Sequence, residues 1–96
     1  MLTAKQRQYL KGLAHELSPV VRVGKGRVND TVIAETKVSL NAHELIKVRI
    51  DAEESEARRI LAEQLAAAAD AEIAAMIGKT VILYRRRDEK PAIKLP

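Results

Sequence analysis

The sequence predicts an α/β domain of the α+β two-layer kind, with the element order αβαβαββ and a four-stranded mixed sheet. Three observations carry this. Stretches of helical period alternate with short β-prone runs along the 96 residues. Two of the strand-like runs flank a helix, a spacing that fits a parallel crossover unit. The last two are separated only by Gly78-Lys79, which suits a hairpin turn. A chain of 96 residues has room for one core, so 1–96 is expected to be a single domain with a charged, flexible tail at 86–96.

Thr3 and Gln6 set a capping box for a helix over 4–16, whose apolar stripe is Leu10, Leu13, Ala14 and Leu17. Ser18-Pro19 ends it, because the residue before proline avoids the helical region. Val20 to Val23 forms a strand with Val21 and Val23 on one face and Arg22 on the other. Asn29 caps a second helix, with Val28 and Ile33 placed as a hydrophobic staple. Ile33, Thr36 and Leu40 form its buried side, and Asn41-Ala42-His43 closes it. Leu45 to Ile50 alternates, with Ile46, Val48 and Ile50 inward and Lys47 and Arg49 outward. Residues 53–69 form the longest helix, packing through Ala57, Ile60, Leu61 and Leu65. Residues 72–77 are alanine-rich, yet the turn and the strongly β-prone run after them make 72–77 and 80–85 an antiparallel hairpin.

The net charge of +4 conceals a polarised distribution. Residues 53–72 hold six acids and two bases, whereas the remainder holds 15 bases and seven acids. Such a domain presents one strongly positive surface, which suits a polyanion. There is no apolar run of about 18 residues that would span a membrane. The first seven residues lack the apolar segment of a signal peptide, and a cytoplasmic location is expected. Without cysteine, disulfides and thiolate metal sites are excluded.

Several motifs fail on inspection. Gly78-Lys79-Thr80 ends like a phosphate-binding P-loop, but Ile73 stands where that motif needs glycine, and a strand rather than a helix follows. His43-Glu44-Leu45-Ile46-Lys47 begins like a zinc-protease helix, but its fifth residue is lysine. His15 and His43 are the only histidines, both at predicted helix ends, where capping accounts for them. Ser18, Ser39 and Ser55 have no nucleophile context. No catalytic residue, metal, cofactor or small-molecule substrate is expected.

What survives is Val20 to Ile33: a strand, a basic turn with Gly24 and Gly26, and a capped helix start. Glycines allow close backbone approach, and a helix N-terminus offers unpaired N–H groups and positive dipole. The only aromatics are Tyr9 and Tyr84, too few for a base-stacking platform, so a KH-like clamp on phosphates is the remaining nucleic-acid mode. If the third strand runs parallel to the first two, Lys25, Arg27, Arg49 and Lys79 cluster around the loop, with Arg22 and Lys47 extending the patch along the sheet. Lys5, Arg7, Lys11 and Arg85, Arg86, Arg87 form a second tier of RNA contacts. The rival reading is a protein-interaction module that works through the acidic helix 53–69.

Lys11-Gly12-Leu13-Ala14-His15, Pro19-Val20-Val21, His43 to Val48 and Ile77 to Arg85, all in register, resemble the CRM domain (chloroplast RNA splicing and ribosome maturation). The stand-alone bacterial, YhbY-type form is the nearest in pattern, and the resemblance runs from Lys5 to Pro96. It implies a fold similar to the C-terminal domain of translation initiation factor three. It also implies RNA binding on precursors of the large ribosomal subunit, without enzymatic activity, and a monomer is expected. The family's loop carries a GxxG pattern; here Gly24 takes the first place, Arg27 the second, and a glycine is displaced to Gly26. Asp70 stands where relatives tend to have glycine.

Overall fold

The computed structural model describes residues 1–24 and 27–96. The elements are α1 (Ala4–Ala14), β1 (Pro19–Val23), α2 (Asp30–His43), β2 (Leu45–Ile50), α3 (Ser55–Ala68), β3 (Glu72–Ile77) and β4 (Thr80–Tyr84). The αβαβαββ order is therefore the one read from the sequence, with the ends of α1 and α3 drawn in by one or two residues. The sheet order is β1-β2-β4-β3. β1 and β2 are parallel, while β4 is antiparallel to both β2 and β3. β3 consequently runs in the same direction as β1 and β2.

The layering refines the two-layer expectation, because helices cover both faces. Val21, Val23, Ile46, Val48, Ile50, Val81 and Leu83 face α2 and α3, which contribute Val32, Leu40, Leu61 and Leu65. On the opposite face Leu45, Ala74, Ile82 and Tyr84 pack against Leu10 and Ala14 of α1. The cause is visible in Val81-Ile82-Leu83-Tyr84, a continuous apolar run that needs cover on both sides. β1 and the far half of β2 instead alternate apolar with charged residues, and there α1 leaves the second face open.

Two packing expectations are corrected. Leu13 and Leu17 are 44% and 39% exposed, because the second half of the α1 stripe lies beside the open part of the sheet. Ile60 is also largely exposed; α3 buries Leu61, Ala62, Leu65 and Ala66. Elsewhere local chemistry behaves as its residue types require. Thr3 and Gln6 complete the capping box on α1. Asn29 Oδ1 accepts from the Val32 N–H at 2.9 Å, capping α2. Val28 and Ile33 both pack against the larger core cluster.

Two residues carry a positive φ with consequence. Asp70 (φ 54) follows α3, with the Ala71 N–H on the Ala66 carbonyl (2.8 Å) and its own N–H on that of Ala67 (3.3 Å). This is a Schellman closure, and its left-handed residue is ordinarily glycine. Glu44 (φ 64) follows α2 and is fully buried. Its carboxylate accepts the backbone N–H groups of Arg87 (2.9 Å), Ala92 (2.7 Å) and Ile93 (2.9 Å). Its carbonyl accepts the Arg85 N–H. Arg87 in turn donates to the Ala42 carbonyl at the end of α2. Residues 85–93 are thereby laid against the junction of α2 and β2. Burial pushes the Glu44 carboxyl up, but the three N–H donors and the Arg87 charge outweigh it and hold the group below the usual 4.5.

Asp70→Gly is expected to stabilise the protein by about 0.5–1 kcal/mol, because the left-handed conformation strains a side-chain-bearing residue. A rise of several degrees in the melting midpoint is the readout. Glu44→Gln is expected to destabilise by about 1–3 kcal/mol, since one buried oxygen is replaced by a donor facing N–H groups. The depressed pKa means that Glu44 stabilises the fold above pH 4.5 and loses that contribution as pH falls through its folded value. Denaturant melts of wild type and variant should therefore converge toward acid pH.

Candidate nucleic-acid interface

Because β1, β2 and β3 run in one direction, their carboxyl ends meet at one edge of the domain. Two backbone hydrogen bonds tie them. The Asp51 N–H donates to the Val23 carbonyl at 2.9 Å, and the Ile50 N–H donates to the Lys79 carbonyl at 2.7 Å. The turn between β3 and β4 is held there by Gly78, whose φ of 57 suits the first central place of a two-residue hairpin turn. Gly24, Asp51 and Lys79 are thus fixed next to one another by main chain alone.

Side chains at this edge form a mixed-charge array. Arg22 and Arg49 are register partners across the parallel pair and lie on the open sheet face. Asp51 bridges them, with Oδ2 on the Arg22 Nε and Oδ1 on the Arg49 Nε at 3.0 Å. The Arg22 guanidinium foremost holds the Asp51 carboxyl below the usual aspartate value; partial desolvation opposes this and Arg49 reinforces it. Lys79 pairs with Glu53 at 3.3 Å. Among the described residues, each arginine engages Asp51 through Nε and has no partner for its outer nitrogens. A guanidinium so placed can accept a phosphate bidentately through its outer nitrogens.

The loop between β1 and α2 borders this array. Lys25 and Gly26, two of the residues singled out from the sequence, lie outside the described residues. The Arg27 N–H donates to the Gly24 carbonyl at 3.2 Å, so arginine in the second place of the GxxG pattern is compatible with a main-chain bond between the two ends of that pattern. That bond engages the Arg27 amide, while the residue itself stays exposed. At the start of α2 the Val32 amide is occupied by Asn29, and Asp30 already places a carboxylate in the first turn. Among the described residues, the amides of Asp30 and Thr31 have no acceptor at the start of this helix.

Other predicted residues are distributed more widely. Lys47 lies on the same face as Arg22 and Arg49, but its Nζ turns to the end of α1 and donates to the Leu17 carbonyl at 2.9 Å. Arg7 donates to the Leu2 carbonyl at 2.9 Å, which ties it to the N-terminal segment. Lys5 and Lys11 are exposed on α1, with Lys11 in its last turn. Arg85, Arg86 and Arg87 follow the end of β4, the strand running opposite to the other three. They sit at the opposite end of the sheet from the loop, roughly 15 Å along β4 from its start at Thr80, at about 3.4 Å per residue.

Sequence reasoning missed Asp51 and Glu53 as members of the array. The signal was present for Asp51, because residues two apart along a strand share a face, and Arg49 and Asp51 are two apart. Glu53 carries no such signal, since its pairing depends on where the β3–β4 turn falls.

The fold and this edge define a class: a small α/β domain that gathers cations at the carboxyl ends of co-directional strands beside a glycine-containing turn. The chain belongs to the CRS1 / YhbY (CRM) domain family, with residues 2–85 matching that domain. It is 40% identical over 96 residues to the Probable RNA-binding protein YqeI of Bacillus subtilis, covering all of both chains. It is 39% identical to an RNA-binding protein of Haemophilus influenzae, covering 99% of this chain and 95% of the relative. The solution structure of the hypothetical protein SAV1595 from Staphylococcus aureus matches it with a TM-score of 0.90 at 38% identity over the full length of both.

Asp51→Asn removes the carboxylate between two arginines and is expected to raise affinity for polyanions. Elution from a heparin column at higher salt than wild type checks this; earlier elution would mean that Asp51 acts chiefly by orienting the two guanidinium groups.

Proposed function

We propose that this protein binds RNA by its phosphates at the edge formed by Gly24 to Arg27, Arg22, Arg49 and Lys79, and that its RNA is precursor large-subunit ribosomal RNA during ribosome assembly. The observation that carries the phosphate site is the pair of backbone bonds linking Val23 to Asp51 and Ile50 to Lys79, which gathers cations from three separate segments beside the loop. RNA as the partner is supported by the relatives named as RNA-binding proteins. The ribosomal target follows the family resemblance and is the part that most needs experiment. The protein's contribution is electrostatic and positional, with no bond made or broken. With Tyr9 the one exposed aromatic, recognition of a preribosomal particle should exceed that of naked RNA, because shape and bound proteins supply what base contacts do not.

Nothing favours the acidic helix as the working surface. On α3, Arg59 bridges Glu56 and Glu63, so two of the helix's carboxylates are already paired. Glu53, just before it, is paired with Lys79. What α3 presents is a self-neutralised solvated face.

Sedimentation of tagged protein from lysate on a sucrose gradient tests the reading. Wild type is expected with large-subunit precursors, and the folded Lys25→Glu/Arg27→Glu variant near the top. Equal sedimentation of both would remove the loop's role, and wild type staying at the top would remove the particle association. With purified protein and single-stranded RNA, about four neutralised phosphates give a slope of log affinity on log salt near −3. A slope near zero would overturn the electrostatic account.

A further inference from the structure

The open half of the sheet face holds more than charge. Beyond Lys47, away from the loop, lies a recess of about 380 Å³. Leu13 of α1, Leu17 just beyond its end, Val20 of β1 and Ile93 of the C-terminal segment form its apolar walls. Lys47 and His43 supply polar groups among the residues lining it, and no carboxylate does. Its shape has identifiable causes. The α1 stripe overhangs the part of the sheet that α1 does not cover. The pairing of β1 with β2 shifts register between Pro19 and Val21, a bulge that leaves Val20 outside the ladder and 52% exposed. The Glu44 carboxylate fixes the backbone of Ile93 and so sets the remaining wall.

We propose that this recess seats one unpaired nucleobase of the RNA whose phosphates lie on Arg22 and Arg49; the inference rests on the RNA reading above. Continuity is the first argument. Arg49 and Lys47 are two residues apart on one strand face, about 7 Å along β2, a step comparable to one nucleotide. A strand leaving the arginines toward the start of β1 therefore passes Lys47 and reaches the recess. Charge is the second. The lining holds one lysine and no carboxylate, which suits a base carried on a phosphodiester chain, whereas a second copy meeting this face with its own would set like charges together. Size is the third: the volume is in the range of small-ligand sites, with apolar walls and few polar groups, and is far too small for a helix. A base in this recess is held by aliphatic burial and edge contacts to lysine and histidine, in place of stacking on a tyrosine, neither of which lines it.

The test compares an eight-nucleotide single-stranded oligoribonucleotide with the same oligomer carrying abasic riboses, using methyl-labelled wild type. The base-bearing oligomer is expected to bind about tenfold more tightly and to shift the methyl resonances of Leu13, Leu17, Val20 and Ile93. The abasic oligomer is expected to shift only the amides near Arg22 and Arg49. The Leu13→Gln/Leu17→Gln variant, both sites being substantially exposed, should bring the base-bearing oligomer down to the abasic level. Equal affinities with unmoved methyls would overturn the recess and leave the phosphate reading standing. Failure of wild type to bind either oligomer would overturn the RNA reading itself. Methyl shifts that follow protein concentration without RNA would assign the recess to self-association and overturn the proposal.

Discussion

The parallel pairing of β1 with β2 is the constraint on which the candidate site depends. It forces a crossover through α2, so the loop that enters α2 must leave from the carboxyl end of β1. It also places Asp51 beside Val23, where a main-chain bond closes the edge. β4 then enters between β2 and β3 in the reverse direction, which returns the β3–β4 turn to the same edge. No side chain is needed to assemble this junction. Substitution of Arg22, Arg49 or Lys79 should therefore alter its charge without dispersing its parts.

Two carboxylates define the opposite ends of the sheet by different physics. Asp51 is partly exposed at the strand ends and moderates two arginines that would otherwise repel across the parallel pair. Its effect is sensitive to salt and easily displaced by a stronger anion. Glu44 is sequestered, saturated by three backbone donors, and insensitive to screening. Desolvation makes such a group costly unless every oxygen lone pair in use has a donor, and here the C-terminal segment supplies them. One acid tunes a surface, and the other fastens a segment of chain.

Most of the fold was legible because local and global signals agree. Caps at Thr3 and Asn29, the proline after Ser18, the alternation of Leu45 to Ile50 and the Gly78-Lys79 turn each name an element or its end. The alanines of β3 were the hard case; pairing with the apolar β4 decided them against their helical preference, as tertiary context commonly does. Less legible was anything set by where two distant segments meet. Leu13 and Leu17 fit the helical stripe, but whether a stripe is covered depends on the width of the sheet beneath it. Glu44 reads as part of an abandoned zinc motif, and its partners lie more than forty positions away. The Arg49–Asp51 pair is readable from strand spacing, while the Arg22–Asp51 and Lys79–Glu53 pairs required the topology.

The sheet order carries a consequence for synthesis. β4 is the last strand in the sequence yet an interior one, with β2 on one side and β3 on the other. Until Thr80 to Tyr84 has been made, a growing chain can pair β1 with β2 but cannot join β3 to them. Two apolar strand edges stay without partners over that interval, the condition under which strands pair wrongly or aggregate. The topology therefore makes completion of the sheet depend on a long-range contact, the entry of β4 between β2 and β3, rather than on stepwise growth from the N-terminus.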